Sequence, residues 1–311
     1  MKPTQPCAEL EKVTKKRPLW LLFNTKHKPV MINFNFHQHS LFSDGKAEPE
    51  EYIKQALELG FEAMGFSEHS PLPFKTPFSL KIENIENYVE TLDALKEKYR
   101  DQLSVYRSLE LDFVPGFSED FEKWKRLCKV DYAIGGVHLV KPNDTEELWF
   151  TDGSDRNIYD QGVETFFGND IKKAVKTYYH QLNGMVESQH FDVVAHVDKI
   201  TMHNQNRFFT EEEKWYRDLV SETLHLIKEK ELIIEVNTRG LYKKRSNKLF
   251  PDGKTLQQVI ESDIPVILSS DAHQPGEINL YFDYAIKRLH HFGCKRLLFF
   301  NGSGWEERGL E

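Results

Sequence analysis

Histidine and carboxylate residues recur in this chain at spacings suited to holding divalent ions. His37 and His39 are separated by one residue, and so are Asp271 and His273. On an extended strand residues two apart point the same way, so each pair can grip one ion together. Between the pairs come Asp44, Glu68-His69, Glu110, Asp112, His138 and His196. Imidazole and carboxylate without cysteine suit Zn, Mn or Fe rather than a structural zinc. Taken singly these residues are ordinary. An isolated His-x-His is usually incidental, Asp44 in Ser43-Asp44-Gly45 can be a turn residue, and Glu68-His69 can cap a loop. The set carries the meaning, because its members fall at the ends of predicted strands. His27, His180, His225 and His290 fall elsewhere and read as surface or interface residues.

The elements that would position these residues alternate along the chain. Apolar runs at 30–36, 61–66, 103–113, 132–140, 191–197, 232–237 and 265–270 read as strands. Amphipathic stretches read as helices from Pro49 to a stop at Gly60, then at 85–99, 118–129, 170–188, 211–230, 255–261 and 279–292. An apolar segment at 296–300 is expected to add a closing strand. Residues 141–168 lack a clear period and read as a long connection of the kind that forms active-site lids. Seven strand–helix units suggest a parallel α/β barrel, with an open doubly wound sheet as the alternative that periodicity does not separate.

In a parallel barrel the loops after the strands converge on one face, where catalytic residues gather. His37 and His39 close the first expected strand, Glu68-His69 the second, and His138 the fourth. Glu110 and Asp112 lie near the end of the third, His196 closes the fifth, and Asp271-x-His273 the seventh. Glu235 and Asn237 close the sixth strand and could contact a substrate.

Composition narrows the function classes. At 311 residues, with 39% hydrophobic and 29% charged content, the chain is an ordinary globular protein. A net charge of -8 argues against long nucleic acid as a partner, although a local basic pocket can still take phosphate. Cys7, Cys128 and Cys294 are far apart and read as reduced thiols of a cytoplasmic protein. No apolar run approaches the roughly 20 residues of a membrane span, and the run 19–23 is too short for a signal peptide. Residues 1–30 are expected to be an N-terminal extension and residues 31–311 a single barrel domain. Nothing in the sequence fixes the oligomeric state.

Six stretches together resemble the PHP (polymerase and histidinol phosphatase) family, and most closely its histidinol-phosphate phosphatase branch. They are Phe36-His37-Gln38-His39-Ser40-Leu41-Phe42-Ser43-Asp44-Gly45, Gly65-Phe66-Ser67-Glu68-His69-Ser70, Leu109-Glu110-Leu111-Asp112-Phe113, Gly135-Gly136-Val137-His138, Val194-Ala195-His196-Val197-Asp198 and Ser269-Ser270-Asp271-Ala272-His273. They run in the family's order over about residues 31–300. The resemblance implies a distorted (β/α)7 barrel carrying two or three divalent metal ions (Zn, Mn or Fe). By the same likeness His37, His39, Glu110 and Asp271 would hold one ion, with Glu110 bridging to a second completed by His138 and His196. Asp44, His69 and His273 would hold a third. Asp44 stands where the family often carries His, and Glu68 has no firm ligand role. The activity implied is hydrolysis of L-histidinol phosphate to L-histidinol and phosphate, a step of histidine biosynthesis.

The substrate also needs groups outside the ions. A metal ion can stabilise the leaving alkoxide, or a protonated His or Asp198 can donate a proton; the sequence does not choose. Arg207 and Arg239 follow the fifth and sixth expected strands and could fork onto phosphate, ahead of Lys141, Lys243 and Lys244. Phe113, Trp149 and Phe150 could wall an imidazole ring, with core packing as their other role. Two other readings are weighed against this one. A PHP phosphoesterase acting on nucleotides or another small ester differs only in substrate. A structural metal module of the polymerase-attached kind predicts lost ligands, whereas every ligand position here is filled.

Overall fold

The computed structural model describes residues 32–143 and 145–310. The expected extension, residues 1–30, lies outside the described residues, as do Val30 and Met31 of the first expected strand. In chain order the elements are β1 (Phe34–Asn35), α1 (Pro49–Glu58), β2 (Ala63–His69), α2 (Ile85–Tyr99), β3 (Ser104–Asp112), α3 (Phe121–Cys128) and β4 (Tyr132–Gly136). There follow β5 (Leu139–Val140), β6 (Trp149–Phe150), α4 (Arg156–Phe167), α5 (Ile171–Ser188), β7 (Val193–Val194) and α6 (Lys214–Glu229). The last are β8 (Ile233–Asn237), α7 (Arg239–Tyr242), α8 (Gly253–Glu261), β9 (Val266–Ser269), α9 (Phe282–His291), β10 (Arg296–Phe300) and β11 (Trp305–Gly309).

Seven strands pair in parallel in the order β1-β2-β3-β4-β7-β8-β9. The chain just past β1 meets the chain just past β9 through a parallel bridge between Gln38 and Ala272. There the His39 amide donates to the Ala272 carbonyl at 2.8 Å. That contact makes the sheet a nearly closed, distorted (β/α)7 barrel rather than an open sheet. Local chemistry builds its outer layer. Pro49 opens α1, which buries Tyr52, Ile53 and Ala56. Asp120 and Asp170 cap α3 and α5 by accepting from backbone amides three residues on.

The barrel interior is tightly filled. A side chain on Gly65 would meet the Tyr132 hydroxyl at 1.9 Å, so only glycine leaves room for that ring. The Tyr132 hydroxyl donates to the Phe36 carbonyl at 2.5 Å. Phe36 in turn packs edge-on against Tyr132, Phe299 and Trp305.

Three expectations need correction. The segment 296–300 does not close the barrel; it is β10, paired antiparallel with β11. Its Leu297, Phe299 and Phe300 are buried, and Phe299 packs against Phe34 and Phe36. An apolar run looks alike in a barrel wall and in a hairpin packed against one. The stretch 132–140 is not one strand but β4 and β5, with His138 in the break between them. Residues 141–168 are not a bare connection either. They hold β6, which pairs antiparallel with β5, and helix α4. Asp155 caps α4 on the Asn157 amide, Gly168 ends it at φ 58°, and Tyr159, Val163 and Phe167 form its buried stripe. Among the described residues no helix is long and apolar enough to cross a membrane.

Candidate metal centre

On one rim the strand ends and the residues just past them carry polar side chains. His37 and His39 follow β1, His69 ends β2, Glu110 and Asp112 end β3, and His138 follows β4. His196 follows β7, and Asp271 and His273 follow β9. All of these residues are buried. His196 (φ 26°) and Asp271 (φ 51°) have left-handed backbones, which cost non-glycine residues about 1–3 kcal/mol each. Neighbours hold both in place. The His196 amide donates to Glu235 Oε2 at 2.9 Å. The Asp271 carbonyl accepts from Arg239 Nη1 at 2.7 Å and from the Tyr242 hydroxyl at 2.9 Å.

Glu110 stands at the centre. Its Oε2 lies 3.2 Å from His37 Nε2, 3.4 Å from His39 Nε2 and 3.3 Å from His69 Nδ1. Its Oε1 lies 3.0 Å from His196 Nε2 and 3.2 Å from His138 Nε2. The two imidazole pairs each bring their Nε2 atoms to 3.1 Å. Asp271 Oδ1 is 3.4 Å from His39 Nε2 and 3.5 Å from His273 Nδ1, while His273 Nε2 is 3.1 Å from Asp44 Oδ1. The structure thus brings His37, His39, Asp44, His69, Glu110, His138, His196, Asp271 and His273 to one rim. Three overlapping sets keep their donor atoms within 4.8 Å of one another: His39, Asp44, His69 and His273; His37, His39 and Asp271; and His69, Glu110 and His138.

These donors fit divalent ions. Tetrahedral ligands at metal distances stand about 3.3–3.7 Å apart, and the separations here, 3.0–3.5 Å, fall at or just under that range. Glu110 Oε2, Asp44 Oδ1, His39 Nδ1 and His69 Nδ1 are buried without a hydrogen-bond partner, a costly state for atoms aimed at nothing. The outer partners orient the rings. Glu235 Oε1 takes His37 Nδ1 at 2.5 Å and Asp112 takes His138 Nδ1, which leaves each Nε2 facing the centre. Electrostatics agree with anionic carboxylates. Burial pushes the Glu110 carboxyl upward, but His138, His37 and His69 outweigh it and hold it well below the usual range. Arg239 and His37 do the same for Asp271.

Glu68 stands behind the donors. It accepts from the Ser40 amide at 3.0 Å and from the Ser40 and Ser43 hydroxyls, and so ties down the turn that carries Asp44. Burial pushes its carboxyl up to about 7, with those two serines pulling the other way. The turn also needs Gly45, where a Cβ would lie 2.1 Å from the His39 carbonyl oxygen.

The cavity over the centre is lined by Asp44, His69, Glu110, His138, Asp271 and His273, and beside them by Lys46, Phe78, Phe150, Asp152, Lys199, Arg239 and Arg245. Arg239 is there as expected, although its Nη1 is already 2.5 Å from His273 Nδ1. Arg207 is not: both of its terminal nitrogens bind Asp160. Asp198 also stands apart. Its carboxyl is fully buried, does not line the cavity, and meets Lys248 Nζ at 3.2 Å. Burial raises it to about 7, a value apt for a proton donor, but the geometry gives it nothing to protonate. Lys243 is taken by Glu277 and Lys141 by Glu146. Trp149 and Phe113 are buried, which leaves Phe150 as the aromatic residue of that group on the wall. Lys199, Asp152 and Arg245 were missed. Lys199 follows Asp198 directly, and Arg245 follows the two lysines singled out, so position in the loops was the one available signal.

The PHP domain family matches residues 35–239, the stretch that contributes all but two of the clustered donors. The chain belongs to the PHP family. Among curated PHP relatives, a protein named probable histidinol-phosphatase from Deinococcus radiodurans is 27% identical over 266 residues, 85% of this chain and 95% of that protein. The histidinol-phosphatase of Bacillus subtilis is 26% identical over 258 residues, 76% of this chain and 91% of that protein. Among solved structures, one from Listeria monocytogenes superposes with a TM-score of 0.71 at 20% identity, covering 81% of this chain and 99% of that one. The Lactococcus lactis histidinol phosphate phosphatase, solved with Zn, L-histidinol and phosphate, gives 0.64 at 19% identity, covering 88% and 98%. At these identities the two structures speak to the PHP barrel alone.

Proposed function

We propose that this PHP protein is a histidinol-phosphatase, hydrolysing L-histidinol phosphate to L-histidinol and inorganic phosphate. The observation that carries the reading is the split of Glu110 between two imidazole pairs, with cations lining the same cavity. It is joined by relatives that this chain spans almost end to end and that are named for that activity. In this reading His37, His39, Glu110 and Asp271 would hold one divalent ion, Glu110 with His138 and His196 a second, and Asp44, His69 and His273 a third. Zinc leads manganese and iron because the Lactococcus lactis structure was solved with Zn. Divalent ions in this set supply Lewis acidity, which brings the pKa of a bound water to about 7 and neutralises charge on phosphoryl oxygens.

The chain's own residues do the rest. Lys199, Arg239 and Arg245 bring positive charge to the wall where a phosphate dianion would sit. Arg239 also steadies the Asp271 carbonyl and His273, so it serves substrate and donors at once. The leaving oxygen is served by a group on the cavity rather than by Asp198. We place the reaction in the cytoplasm, in histidine biosynthesis, with a small phosphorylated metabolite as partner.

Two measurements test this. Purified enzyme should hydrolyse histidinol phosphate faster than nucleotides and simple phosphate esters, and a chelator should stop it. Histidinol phosphate ranking among the worst of the panel would end the assignment. Arg245 makes no side-chain ion pair or hydrogen bond among the described residues, so Arg245→Ala should act mainly on capture. KM is expected to rise by about 10-fold with kcat changed less. An unchanged KM would clear the residue.

A further inference from the structure

Histidinol phosphate carries a positive charge of its own. Its primary ammonium sits on the carbon next to the esterified CH2 and therefore close to the phosphorus. A pocket that only gripped phosphate would leave this charge unanswered, because the cavity wall already carries Lys46, Lys199, Arg239 and Arg245. Its carboxylates are Asp44, Glu110, Asp271 and Asp152. The first three belong to the clustered donor sets, and Asp152 belongs to none.

The fold presents Asp152 deliberately. The chain runs extended past β6, where the Thr151 amide and hydroxyl both donate to the His138 carbonyl, at 3.0 and 3.1 Å. Side chains two apart on such a segment share a face. Phe150 and Asp152 therefore line the cavity, while Trp149 and Thr151 turn into the core. The hairpin is locked from behind, since a Cβ on Gly162 would meet Trp149 at 2.0 Å. Asp152 Oδ2 lies 3.4 Å from Lys199 Nζ and 3.8 Å from His138 Nε2, which puts it beside the donor cluster. Among the described residues its Oδ1 enters no hydrogen bond, and its shortest ion-pair contacts are made by Oδ2. Phe150 stacks on Phe78 with planes 7° apart, and the pair forms a flat apolar wall beside the carboxylate.

Resting on the histidinol-phosphatase reading, we propose that Asp152 is the specificity-determining residue that accepts the substrate's ammonium, with the Phe78–Phe150 wall flanking its imidazole ring. Asp152 Oδ1 takes the ammonium and Oδ2 stays with Lys199, whose charge faces the phosphate. The leaving group is then recognised at both of its polar ends. The ammonium is charged equally in the ground state and the transition state, so this contact acts on binding.

The test compares L-histidinol phosphate with its desamino counterpart, 3-(imidazol-4-yl)propyl phosphate, in the wild-type enzyme and in Asp152→Asn. Wild type is expected to prefer the amine by roughly 10²-fold in kcat/KM, the scale of a charge-assisted contact in a desolvated site. In Asp152→Asn that preference should shrink to within about threefold, mainly through a higher KM for the amine ester. The variant should also bind L-histidinol about 10²-fold more weakly by calorimetry, with metal content equal to wild type. Equal losses on both esters, or lost metal, would overturn the proposal while leaving the substrate assignment intact. A wild-type enzyme that favours neither imidazole ester over phenyl phosphate would overturn the substrate assignment, and this inference with it.

Discussion

Glu110→Gln is expected to lower kcat/KM for histidinol phosphate by at least about 10³-fold, with the circular dichroism spectrum unchanged. The substitution keeps volume and shape, so the barrel interior is not opened. It removes a full charge, because His138, His37 and His69 hold the Glu110 carboxyl ionised far below neutral pH against the effect of burial. It also replaces one acceptor oxygen by an NH2 donor. Whichever way the amide turns, an NH2 that offers no lone pair to a cation replaces an oxygen beside His37, His39 and His69 on one side or His138 and His196 on the other. Among the described residues no other carboxylate meets ring nitrogens of both pairs, so the loss is felt on each side of the centre. Metal content measured with the kinetics should fall with activity. Wild-type turnover with full metal content would remove Glu110 from the centre.

The donor set was legible in the sequence because a parallel barrel delivers every strand end to one rim. His-x-His and Asp-x-His at the two ends of the chain became neighbours once the Gln38–Ala272 bridge brought those strand ends together. The barrel itself followed from the alternation of apolar and amphipathic runs. What stayed hidden depended on side-chain direction. Arg207 and Arg239 both follow strands of the barrel, yet Arg207 turns outward to Asp160 and Arg239 turns inward to Asp271 and His273. Asp198 sits two residues past His196, but the left-handed turn at His196 breaks strand alternation and sends the carboxyl to Lys248. Asp152 was obscured because residues 141–168 read as irregular, so no alternation could be assigned to Phe150 and Asp152. The closing strand failed for a related reason: hydropathy reports burial and not the partner that supplies it.

Removing the metal should separate two opposing pH dependences. At a metal concentration 100 to 1,000 times Kd, one site contributes about 2.7–4.1 kcal/mol to stability. Dialysis against a chelator is therefore expected to abolish activity and to lower Tm by roughly 5–15 °C, with Zn restoring both. In the stripped protein three of the clustered imidazoles, His37, His69 and His138, take up protons instead, while burial holds His39, His196 and His273 below their ordinary value. His69 is desolvated, which lowers its pKa, but Glu110 and Asp112 overcome this and raise it to about 9; His37 and His138 are also held well above their ordinary value. A histidine whose folded pKa is raised contributes stability fully below its unfolded value, near 6.5, and loses it as pH climbs through the folded value. The depressed carboxylates titrate far below this window and leave its slope alone. The three depressed imidazoles complete their opposite contribution as the unfolded histidines deprotonate near pH 6.5, so stripped protein should lose Tm between about pH 7.5 and 9. The loaded enzyme runs the other way, because metal binds deprotonated ligands and gains affinity as protons leave. The Tm difference between loaded and stripped protein should therefore widen steadily with pH across that range. Calorimetry of both forms at matched ionic strength measures it. A gap that stays flat or narrows would mean that these imidazoles do not exchange protons for metal, and the centre would have to be assigned to other side chains.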